Sequence, residues 1–101
     1  MLHISHEQKL LLYEFVVEKE SHNQRLGGQL ERTLTYIMSK VDVRKPEQII
    51  DESIRELVRC TFEVVKNQHL LENSLITPAS YQNSISKAQA RLKARFENLG
   101  I

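Results

Sequence analysis

The stretch PEQIIDESIRELVRCTFEVVKNQHLLE, Pro46 to Glu72, decides the fold of this chain. Residues that are mostly apolar recur in it at steps of three and four, which is the period of an α-helix. Pro46 suits the first turn of such a helix, where its missing N–H removes no hydrogen bond. An apolar arc over nearly half the circumference predicts a long central helix with two neighbours. The arc consists of Ile50, Ile54, Leu57, Val58, Thr61, Val64, Val65 and Leu71.

A first helix is predicted upstream, opened by Ser5 and Gln8 at capping-box spacing. Its centre, Leu10 to Val17, is apolar in nearly every direction except along a strip of glutamates. One neighbouring helix cannot cover such a surface, so we expect this helix to contribute to self-association of the chain. The residues assigned to that contact are Leu11, Leu12, Phe15 and Val16.

A second helix is predicted from an apolar stripe with helical steps, formed by Leu26, Leu30, Leu34, Ile37 and Val41 and widened by Met38. Eight polar residues in a row, Glu18 to Arg25, separate this stripe from the first helix, and a break is placed near Glu20 to Gly28. Capping-box spacing and two glycines favour a break there, because each glycine costs a helix interior about 1 kcal/mol relative to alanine. A continuous, kinked helix would also keep both stripes on one side, so both alternatives remain open.

The last helix is predicted to begin with Thr77 as its N-cap and Pro78 as its first residue. Gly100 would end it, with Ile101 making the apolar contact of a Schellman cap. A single seam of apolar residues runs along it: Tyr81, Ile85, Ala88, Leu92, Phe96 and Leu99. With only two prolines and three glycines in 101 residues, the turns of an all-β fold are not available. The sequence therefore predicts an all-α fold, with residues 1–101 forming one bundle of three or four helices.

Composition excludes several functional classes. Fourteen basic residues nearly balance thirteen acidic ones, which gives no general attraction to nucleic acid or to an anionic membrane. The single cysteine cannot form an internal disulfide, and no signal peptide or membrane span is recognisable, so we expect a cytoplasmic protein that does not enter a membrane.

Candidate catalytic and metal-binding groups are few. His3, His6 and Glu7 do not have the spacing of a zinc motif and lie at a terminus, where helices fray. Cys60 lies at the edge of the apolar arc of the third helix, where a buried structural role is expected. His69 is followed by Glu72, whose charge would repel a phosphoryl group. We therefore expect no enzyme activity, no metal and no cofactor.

The last helix carries a basic ridge at i,i+4 spacing, formed by Lys87, Arg91 and Arg95. Three explanations remain open. The ridge could complement the acidic third helix, bind an acidic partner protein, or contact a nucleic-acid backbone. We assign these three residues to partner binding, and on that assignment reversing their charges would leave the melting temperature close to that of the parent chain.

The sequence favours a non-catalytic helical module for protein–protein interaction: an adaptor, chaperone, inhibitor or regulatory subunit that also self-associates. The alternative is a nucleic-acid-binding regulator that uses the basic last helix, although the balanced charge makes nucleic acid the less favoured partner.

Overall fold

The computed structural model describes residues 2–17 and 27–99, and within these ranges the chain forms helices and no strand. The elements in chain order are α1 (His6–Val17), α2 (Gly27–Lys40), a short 3-10 helix (Pro46–Gln48), α3 (Glu52–Glu72) and α4 (Pro78–Leu99). The predicted all-α bundle with a long third helix is confirmed.

Two helices begin where local chemistry predicts. The Ser5 amide donates to Gln8 Oε1 at 2.9 Å, and the Gln8 amide donates to Ser5 Oγ at 3.1 Å, which completes a reciprocal capping box for α1. At the start of α4, the Ser80 amide donates to Thr77 Oγ1 at 3.1 Å. Each hydroxyl satisfies an amide that the first helical turn leaves without a backbone partner.

The third helix begins later than predicted. Pro46 opens the 3-10 helix, and α3 starts only at Glu52. Asp51 is its N-cap, because the Asp51 carboxylate accepts hydrogen bonds from the amides of Ser53 and Ile54. The predicted end at Glu72 is confirmed. Pro46 therefore begins a 3-10 helix and not the predicted α-helix, and Ile50 lies outside the helical arc to which it was assigned.

Helix α3 is central, as its wide apolar arc predicts. It packs against both α1 and α4, and α1 and α4 also contact each other. Buried side chains from all four helices form one core: Leu12, Phe15, Val16, Ile37, Leu57, Val58, Cys60, Val64, Ile85, Ala88, Leu92 and Phe96, with Ile4 and Ile49 at its margin.

Helix α1 is covered within a single chain. The four residues assigned to self-association, Leu11, Leu12, Phe15 and Val16, are all buried. More than one neighbour does cover this helix, because α2, α3 and α4 all contact α1 within the same chain. The Tyr13 and Phe96 rings pack edge to face at 5.9 Å, and the side-chain Nε2 of Gln89 donates to the carbonyls of Val16 and Val17. These four side chains are therefore not a free surface for a second copy, and self-association itself stays a prediction.

Helix α2 follows its predicted stripe in part. Ile37 is fully buried, whereas Met38, expected to widen the stripe, is 53% exposed. The choice between a break and a kink near Glu20 to Gly28 depends on residues 18–26, Leu26 included, which lie outside the described residues, as does the cap at Gly100 and Ile101.

Candidate functional site

The basic ridge of α4 faces the acids of α3. Arg91 Nε lies 3.2 Å from Glu56 Oε1, and Arg91 Nη1 lies 3.6 Å from Glu63 Oε2. Arg95 Nη1 lies 3.6 Å from Glu52 Oε2. Two of the three ridge residues thus lie in ion pairs that hold α3 against α4.

The side chains in these pairs differ in exposure to water. That of Glu56 is only 12% exposed, whereas those of Arg91 and Arg95 are 43% and 38% exposed. A mostly buried carboxylate needs a cation, and Glu56 has Arg59 at 3.9 Å on its own helix and the nearer Arg91 on α4, so Arg91 contributes to the bundle directly. This geometry favours internal complementarity, the first of the three explanations, for Arg91 and Arg95. Lys87 is exposed, and its assignment to partner binding stays a prediction.

Cys60 of α3 is fully buried, as expected for a structural cysteine. Burial, with the negative charge of Glu56 as the next cause, raises the pKa of the Cys60 thiol to about 11. Its Sγ lies 3.9 Å from Glu56 Oε1. Because the thiolate is the reactive form, this thiol is poorly suited to nucleophilic chemistry near neutral pH.

Two further findings concern metal ions and membranes in the described part of the chain. No group of three or more His, Cys, Asp and Glu residues within it is arranged to hold a metal ion. None of its helices combines the length and the apolar character needed to cross a membrane.

An apolar cleft of about 580 Å³ lies where α3 begins. We call it the α3 cleft. The N-terminal segment, the end of α2, the 3-10 helix and the first turn of α3 all contribute to its lining, which consists of Leu2, Lys40, Val41, Gln48, Ile49, Ile50, Asp51 and Ile54. Its volume lies in the range of about 300–1,000 Å³ that is typical of binding pockets.

Ile50 stands at the edge of the α3 cleft with 83% of its surface exposed, the largest exposure of any large apolar residue described. Ile49 and Asp51 both have extended backbone conformations, with ψ angles of 113° and 114°. Successive side chains in extended backbone point to opposite sides, so Ile49, only 6% exposed, enters the core while Ile50 faces water.

Hydrogen bonds hold this segment in place. Arg55 Nε donates to the Ile49 carbonyl at 2.8 Å, and Arg55 Nη2 donates to the Ile50 carbonyl at 3.4 Å. The Asp51 cap fixes the next residue. Ile50 is therefore held outward by a rigid helix start, and leaving an isoleucine in water forgoes roughly 1.5–3 kcal/mol of burial energy.

Hydrogen bonds also hold the loop between α2 and the 3-10 helix, next to the cleft. Arg44 pairs with the Asp42 carboxylate at 3.1 Å and also donates its amide to it, and these hydrogen bonds lower the pKa of Asp42. The Asp42 amide in turn donates to Gln48 Oε1. At the N-terminus the His3 amide donates to the Tyr36 hydroxyl at 3.1 Å, which positions Leu2 beside α2.

The α3 cleft was not predicted from the sequence. A local signal was present, since aspartate is a preferred N-cap and Asp51 directly precedes an apolar-periodic segment. Placing the cap there would have removed Ile50 from the helical arc. The approach of Leu2 and Val41 to this point had no signal in the sequence, because it depends on how the N-terminal segment and α2 pack.

The chain was compared with known protein families, sequences and structures. No family model, no curated protein sequence and no solved structure matches this chain.

Proposed function

We propose that this chain is a non-catalytic protein–protein interaction module that binds through the α3 cleft. The observation that carries the proposal is the largely exposed Ile50 beside a cleft lined by Leu2, Val41 and Ile54. Single exposed apolar residues are common on protein surfaces, but one held beside an apolar cleft is typical of a contact that a partner completes.

The chemistry of the cleft suits a protein side chain better than a reaction. Lys40, Gln48 and Asp51 are the only polar residues in its described lining, and Asp51 is already engaged as a helix cap. The Cys60 thiol lies in the core, away from this lining. We place the action of the module in the cytoplasm, as the lone reduced thiol suggests.

Binding of an acidic partner or of nucleic acid through α4 is less well supported than binding through the cleft. Arg91 and Arg95 already face carboxylates of α3, which reduces the positive charge that the ridge offers to another molecule. Lys87 remains available as a rim charge, and such charges mainly tune association rate and partner choice.

The proposal can be tested by affinity capture from the native host with the tagged chain, comparing Ile50→Asp with Leu75→Asp. Leu75 is also a large exposed apolar residue, 69% exposed, but lies between α3 and α4. We expect protein captured by the parent chain and by Leu75→Asp, retained at high salt, and lost with Ile50→Asp. Capture of nucleic acid alone, released steeply by salt, or capture indifferent to Ile50→Asp would overturn the proposal.

A further inference from the structure

We infer that a second copy of this chain occupies the α3 cleft, with each copy placing Ile50 in the cleft of the other. This inference rests on the proposed function and names the partner at the same site. A two-fold interface requires a self-complementary surface, on which residue i contacts residue j and j contacts i. A protruding side chain and an apolar hollow within one small patch meet that requirement.

The position of Ile50 decides whether such contacts produce a closed dimer or an open filament. Ile50 is part of the wall of the cleft rather than a knob on a distant face. Both insertions can therefore form on either side of a single two-fold axis, which closes the assembly as a dimer. A knob and a hollow on separate faces would instead join copies head to tail and produce open filaments.

Charge at the patch also fits a second copy. Lys40 and Asp51 line the cleft, and Asp42, Arg44, Lys45 and Glu47 lie on the chain between them, so each sign occurs three times. A patch of one sign would repel its own copy, whereas a balanced patch can place Lys40 opposite Asp51 across the axis. An acidic or a basic partner would be better matched by an excess of the opposite charge, which this patch lacks.

Sedimentation of the purified chain tests the inference. From about 1 µM to about 1 mM we expect a reversible monomer–dimer equilibrium, since one small apolar patch per copy fits a weak to moderate affinity. Ile50→Asp should weaken dimerisation by about tenfold or more, as for a central interface residue. Leu75→Asp, the matched control, should leave it unchanged. Circular dichroism and urea unfolding establish that both variants fold.

Disulfide trapping locates the contact. In a Cys60→Ala background, a tagged I50C chain mixed with a V41C chain should form a mixed disulfide under mild oxidation. The pair I50C and L75C, with the same number of thiols, should do so much less. Equal yields for the two pairs would overturn the inference, as would a parent chain that remains monomeric throughout the concentration range or an association that Ile50→Asp does not weaken.

These outcomes separate the inference from the proposed function. A monomeric chain that still captures another protein through Ile50 removes only the second copy as the occupant. A chain that neither dimerises nor shows Ile50-dependent capture removes the interaction module as well.

Discussion

The seam between α3 and α4 and the start of α3 show two ways in which one helix can be used. Along the seam, Leu92 and Phe96 are buried, and Glu56 meets Arg91 within the same chain. At the start of α3, an isoleucine faces water beside an apolar cleft. Groups at the seam find their partners within the same chain, whereas the isoleucine at the cleft stays exposed to water. Changes at the seam should therefore affect folding, and changes at the cleft should affect binding.

The largest effect is expected from the closed core. Phe15→Ala should destabilise the chain by about 3–5 kcal/mol, because a 2%-exposed aromatic ring leaves a cavity. Ile50→Ala removes apolar atoms from an exposed site and should stay within about 0.5 kcal/mol. Urea unfolding of the monomer, at a concentration below its association, measures both. Equal losses for the two variants would erase the distinction between core and cleft.

Charge reversal at the seam should come next. Arg91→Glu would place a carboxylate beside the mostly buried Glu56 and should cost about 1–3 kcal/mol, less than for a fully buried pair because Arg91 is 43% exposed. Lys87→Glu, on the same ridge, should change stability by less than about 0.5 kcal/mol. From the sequence, charge reversal at all three ridge residues was expected to leave the melting temperature close to that of the parent chain. Unchanged melting temperatures for both variants would restore that expectation and return Arg91 to the candidates for partner binding.

The helix cap at the cleft should have a smaller effect on stability. Asp51→Ala removes the acceptor for two amides and should cost about 1 kcal/mol. Asp51→Asn keeps a side-chain oxygen and should lose less. Urea midpoints of the two variants distinguish capping from charge, and an equal loss in both would mean that the negative charge, and not the hydrogen bonds, stabilises the start of α3.

Ionisation of the Cys60 thiol should have no effect on stability near neutral pH and should lower stability only in alkali. The unfolded chain releases this proton near its ordinary pKa of about 9, whereas the folded chain keeps it until about pH 11. Rising pH between these values therefore favours the unfolded state. The parent chain should lose stability relative to Cys60→Ala across that interval and should react slowly with iodoacetamide at pH 8 until urea unfolds it. Labelling at the rate of a free thiol would contradict the burial.

The boundaries that could be predicted from sequence are those set by local chemistry. Ser5 with Gln8 and Thr77 with Pro78 start α1 and α4 because the groups that satisfy the first amides lie within three residues of one another. The apolar arc of α3 identified the central helix for a similar reason, since periodicity is a property of the chain itself. Pro46 was misplaced because a proline suits the first turn of a 3-10 helix as well as that of an α-helix.

The sequence by itself determined that this chain is an all-helical bundle around α3, because helical period and capping residues act over a few neighbouring positions. Only the tertiary structure decided which apolar and charged side chains remain available. Phe15 and Ile50 are both large apolar residues, yet packing buries one and leaves the other in water. Arg91 and Lys87 belong to one basic ridge, yet only Arg91 lies against Glu56 and Glu63. These outcomes depend on distances between helices that are far apart in the chain, and no local pattern contains such distances.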